Sequence, residues 1–93
     1  MYARTTRPYT PAEVAQGIED AVARHNEGYV VLRLMAGDSW GIVLVERDTC
    51  QFPDRPFVTW AYNPDGDIIH TGHYDMDLET AVENFHMRVE RGY

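Results

Sequence analysis

The stretch Phe57 to Tyr74, FVTWAYNPDGDIIHTGHY, sets two histidines three positions apart among aromatic residues. Two imidazoles on one face could share a metal ion or pass a proton. Their setting, however, reads as a strand. Successive strand residues point to opposite sides, so His70 and His73 are expected on opposite faces. Joint ligation would need a break in the strand, and Gly72 is the local residue that could supply one. His70 is expected opposite Trp60, as a packed histidine with a hydrogen bond. In an alternative reading, Trp60, His70 and Tyr74 line a small ligand or enzyme site, with Cys50 nearby.

The other chemistry-bearing groups are sparser. Cys50 is the single cysteine, so neither an internal disulfide nor a paired-cysteine metal motif is expected. No glycine-rich elbow presents it as a nucleophile, and it reads as a structural thiol. Asp75, Asp77 and Glu79 alternate like calcium ligands but lack the glycine and the distal bidentate glutamate of such a loop. The seven glycines form no phosphate cradle. No catalytic residue, metal or cofactor is therefore expected.

These residues must be placed by one small domain, because 93 residues leave no room for two cores. An apolar share of 44% is that of a globular chain. Residues 1–9, MYARTTRPY, read as an arm preceding a domain at 10–93. TPAE, from Thr10, is a capping box that opens a helix. Val14, Ile18, Ala21, Val22 and His25 follow on one face of it. YVVLRLMA (Tyr29–Ala36) and WGIVLVER (Trp40–Arg47) read as strands around a three-residue turn at 37–39. That turn would set Leu34 against Ile42, Leu32 against Leu44 and Arg33 against Val43. Pro53 and Pro56 make 48–56 a loop. FVTWAYN is a third strand, Asn63-Pro64-Asp65-Gly66 a hairpin turn with Gly66 left-handed, and DIIHTGHY a fourth strand. The segment from Asp75 onward is a helix capped by Asp75 or Asp77, with a stripe of Leu78, Ala81, Val82, Phe85 and Val89.

The order α-β-β-β-β-α, with short loops, predicts an α+β domain. Its expected form is a two-layer, four-stranded antiparallel meander with both helices on one face. The other face would then be bare, showing Val31, Arg33, Met35, Val43 and Val45 from the first hairpin. Thr59, Ala61, Ile69 and Thr71 would continue it on the second. A bare apolar face of that extent marks a contact with another protein or with a second copy of the chain. Val31, Arg33, Val43, Val45, Thr59 and Thr71 are the expected contact residues.

Charge narrows the partners. Fifteen acids stand against eight bases, a net charge of −7, and every base is an arginine. An acidic body disfavours phosphate backbones and anionic membrane, so neither nucleic acid nor membrane is expected. The start, MYARTTRPYT, lacks the apolar core of a signal peptide. With the lone cysteine, this fits a cytoplasmic setting. The acids also raise the reading of a DNA mimic, although Arg88 and Arg91 interrupt the row along the last helix.

The arginine-only basic set and the stretch GHYDMDLETAVENFHMR, in which a GHY strand end runs into an A-x-x-x-F-x-x-R helix, resemble small proteins of actinobacteria and actinobacteriophages. The resemblance, to mycobacteriophage-type host-modulating proteins, covers residues 57–91. It implies a non-enzymatic protein that binds a host protein, with toxicity or exclusion of other phages as outcomes. It assigns no catalytic residue.

Overall fold

A computed structural model describes residues 9–25, 28–47 and 53–93. The expected arm (except Tyr9) and Cys50 lie outside the described residues. The elements run α1 (Pro11–Arg24), β1 (Tyr29–Gly37), β2 (Trp40–Arg47), β3 (Phe57–Asn63), β4 (Ile68–Met76) and α2 (Leu78–Arg91). The strands form one antiparallel sheet in the order β1-β2-β3-β4. This is the expected α-β-β-β-β-α meander of the α+β class.

Local chemistry sets the helix ends. Thr10 accepts from the Glu13 N–H while the Glu13 carboxylate accepts from the Thr10 N–H, which closes the capping box ahead of Pro11. Asp77 Oδ1 accepts from the Thr80 N–H and starts α2. Gly92, at φ 85°, ends α2 in the left-handed conformation.

The helices do not share a face. Val14, Ile18, Ala21 and Val22 of α1 pack in one core with Val43, Val45, Val58, Trp60, Tyr62 and Ile69. Ala81 and Phe85 of α2 pack in another with Ile42, Leu44 and Ala61. The expected two-layer arrangement is thus corrected to a helix on each side of the sheet. The physical reason lies in the central strands. Residues 41–45 and 58–62 are buried without interruption, and a strand apolar at every position belongs between two layers.

The hairpin registers differ from expectation as well. The first turn has two residues, Asp38 and Ser39, with Ser39 at φ 66°, so Gly37 pairs with Trp40, Met35 with Ile42 and Leu34 with Val43. A one-residue slip exchanges every side chain between faces. Leu34 accordingly meets the α1 core, while Leu32, expected under a helix, is 44% exposed beside a bulge between Val31 and Arg33. The second turn spans residues 64–67 and pairs Asn63 with Ile68. Asp67, rather than Gly66, takes the left-handed position, at φ 49°.

Helix α1 sits tightly because Gly41 has no side chain. A Cβ there would lie 2.6 Å from Ile18 Cδ1 and 2.9 Å from Val14 Cγ1, closer than packed carbon atoms tolerate. No helix among the described residues is long and apolar enough to cross a membrane.

Candidate functional site

Strand β4 carries two irregularities, and they decide where the histidines go. Thr71 and Asp75 stand at φ 53° and 58°, and the register against β3 shifts beside each of them. A β-branched residue at positive φ costs on the order of 1–3 kcal/mol. The bulge at Thr71 places His70 opposite Ala61 and His73 opposite Thr59. Both imidazoles therefore lie on the α2 side, contrary to the expected split. They still make no metal centre, since no group of three metal-ligating side chains is found among the described residues.

The trio Trp60, His70 and Tyr74 is not assembled. Trp60 is buried on the α1 side, with its Nε1–H donating to Tyr74 Oη at 3.0 Å. Gly72 makes room for that tyrosine, whose ring would lie 2.5 Å from a Cβ at position 72. His70 belongs to the opposite side, is exposed, and has its Nδ1 2.8 Å from Thr71 Oγ1. The ring stacked on Trp60 is His25, with centroids 5.2 Å apart and planes 24° from parallel.

The expected partner-binding residues also divide. Val43, Val45 and Thr59 are inaccessible, and Val31 is half-buried against the α1 core. Arg33 and Thr71 are exposed, on opposite edge strands of the sheet. The broad bare face does not exist, because α1 covers Val43 and Val45 while α2 covers Thr59 and Ala61. What remains uncovered is narrower. Helix α2 lies chiefly over β2 and β3. Beyond it, β1 presents Val30 (55% exposed), Leu32 (44%) and Met35 (46%), with Arg33 among them. The pairings Val30 with Glu46, Arg33 with Leu44 and Met35 with Ile42 assign those three to the α2 side, and Leu32, the extra residue of the bulge, is exposed beside them.

Beneath α2 runs a polar chain that the apolar-stripe reading missed. Arg88 Nη1 donates to Thr59 Oγ1 at 3.0 Å and to the Thr59 carbonyl at 3.2 Å. The Thr59 hydroxyl donates to Asn84 Oδ1, which lies 3.1 Å from His73 Nδ1. An amide oxygen is no general base, so Thr59 is not activated as a nucleophile. Arg88 is wholly inaccessible, and among the described residues its Nη2 has no partner and no carboxylate side chain accepts from it. Burial, with the charge of Arg91 adding to it, pulls its pKa below the usual guanidinium value. The one sequence hint was position: residue 88 lies three after Phe85, on the inward face. Replacing Arg88 with Met is expected to stabilise the domain by about 1 kcal/mol in urea melts. A loss of stability would mean that its hydrogen bonds outweigh its desolvation.

On the α1 side, a cleft of about 390 Å3 opens between the end of the helix and the β3–β4 turn, lined by Ala21, Arg24, His25, Asp67, Ile68 and Ile69. Asp67 is held at both oxygens. Tyr62 Oη donates to Oδ1 at 2.6 Å, and Arg24 Nη2 donates to Oδ2 and to the Asp67 carbonyl at 3.1 Å each. The Tyr62 hydrogen bond depresses the Asp67 pKa most; burial opposes it as the next largest effect, and the Arg24 charge and hydrogen bond add to the lowering. Burial first and then Asp67 raise the Tyr62 phenol well above its ordinary value. A depressed carboxyl contributes stability above its unfolded pKa and loses it as pH falls through the folded one. The Asp67→Asn variant is therefore expected to show a shallower fall in melting temperature below about pH 4 than the parent chain. Thermal melts between pH 2 and 6 check this.

The chain matches no family model, no curated protein and no solved structure.

Proposed function

We propose that this chain is a non-enzymatic protein-binding module that engages its partner along the α2 side of β1. The observation carrying this reading is the row Val30, Leu32 and Met35, each at least 44% exposed on one edge strand. Large apolar side chains gathered in a patch, rather than scattered, point to a contact. Of the residues expected from the sequence, Arg33 stays in the proposed surface; Val43, Val45 and Thr59 do not.

The partner is a different protein, offering an apolar segment with basic flanks. A net charge of −7 steers basic surfaces toward the chain and opposes a second copy bearing the same charge. The bulge between Val31 and Arg33, with the arginine itself, also guards this edge against pairing with its own kind. The resemblance to phage host-modulating proteins would make the partner a host protein in the cytoplasm. A DNA mimic fits less well, because the acids of α1 (Glu19, Asp20) and α2 (Glu79, Glu83, Glu90) lie on helices that cover opposite faces.

The test pairs the parent chain with a Leu32→Asp/Met35→Asp variant as baits. The variant is expected to melt like the parent and to lose one captured protein. That protein, once purified, is expected to bind the parent more weakly as salt rises. The reading fails if the folded variant captures everything the parent does. It also fails if light scattering finds the parent to be a dimer that the variant dissolves.

A further inference from the structure

The cleft at the end of α1 has the size and lining of a small-molecule site. Its volume, about 390 Å3, falls within the range of ligand pockets, which runs from about 300 to 1,000 Å3. Its floor is apolar, with Ala21 and Ile69 buried, and Ile68, 54% exposed, forms a lip. One wall is flat, because the His25 ring is held parallel to Trp60.

The polar groups are unevenly satisfied. Both oxygens of Asp67 already accept hydrogen bonds, from Tyr62 and Arg24. Arg24 spends Nη2 alone on Asp67, which leaves its Nη1 and Nε hydrogens to be met by an acceptor. The bonds to Asp67 place the guanidinium at the rim of the cleft, where its side chain is 53% exposed. A site with a flat wall, an aliphatic floor and a cation at its rim with spare donors calls for a planar apolar ring bearing an anionic acceptor.

We propose that this cleft binds a small aromatic carboxylate, with the ring against His25, Ile68 and Ile69 and the carboxylate on Arg24. A charge-assisted hydrogen bond of this kind is roughly twice as strong as a neutral one. This site lies on the α1 side, away from the β1 strip, so its fate is independent of the protein-binding reading.

The experiment is a titration of the full chain with 1-naphthoate, following the methyl resonances of Ala21, Ile68 and Ile69 by two-dimensional NMR. Saturable shifts confined to these methyls and to the His25 ring are expected. Arg24→Met keeps most of the side-chain stem and removes the donors. It should weaken binding about tenfold, the equivalent of 1.4 kcal/mol. Loss of an exposed ion pair costs at most about 1 kcal/mol, so this variant stays folded. 1-Naphthylmethylamine, with the opposite charge, should bind at least about tenfold more weakly than the acid. The proposal is overturned by shifts that fail to saturate up to about 10 mM, which is weaker than the usual range of specific small-ligand binding. Affinity unchanged by Arg24→Met, or an amine that binds as well as the acid, would overturn it too.

Discussion

Val43→Asp is expected to leave the chain unfolded at 25 °C. Val43 is wholly inaccessible, paired with Leu34 on one side and Trp60 on the other, within the core that α1 closes. A carboxylate there finds no cation among its core neighbours, and burying an unpaired charge costs on the order of 3–5 kcal/mol or forces its protonation. Lost packing adds to that. A domain of this size holds only about 5–15 kcal/mol in all. Circular dichroism and a urea melt read the outcome. The comparison that gives it meaning is Met35→Asp, 46% exposed, for which a change within about 0.5 kcal/mol is expected, as at other surface positions.

The second large effect falls on the opposite side. Phe85→Ala should cost about 3–5 kcal/mol. Phe85 is 1% exposed, and with Ala81 it forms the buried apolar contact of α2 on Ile42, Leu44 and Ala61. The cavity would sit beside the buried Arg88, where a partnerless Nη2 gives water a reason to enter. Met87→Ala, on the same helix but 47% exposed, should change the urea midpoint little. If Phe85→Ala proves equally mild, α2 does not cover the sheet as described.

The helix ends were legible in the sequence because capping chemistry is local. Thr10, Glu13, Asp77 and Gly92 act within a few residues of themselves. Element order was legible for a similar reason, since proline, glycine and aspartate punctuate the strands. The face assignment was not read correctly, although a signal was present. GIVLV and VTWAY contain no polar–apolar alternation worth the name, which is how strands buried on both sides look. Reading them as alternating produced a bare face that does not exist.

The registers failed for a different reason. Turn length depends on which residue accepts positive φ, and here Ser39 and Asp67 took that role where glycine would be the first choice. Asp67 is held in the turn by Tyr62 and Arg24, partners that only the tertiary fold brings near. The same limit hid the bulge at Thr71, a residue type that sequence rules place last at such a position. It hid the cleft too, because His25 and Ile69 meet across 44 positions of chain.

The apolar strip left exposed lies along β1, since helices close the middle of the sheet from both directions. A soluble gadolinium chelate, added while methyl resonances are followed by NMR, probes this directly. The methyls of Val30, Leu32 and Met35 should broaden strongly, while those of Val43, Val45, Ile42 and Leu44 stay sharp. Broadening of Val43 and Val45 to the degree of Val30 would contradict the account.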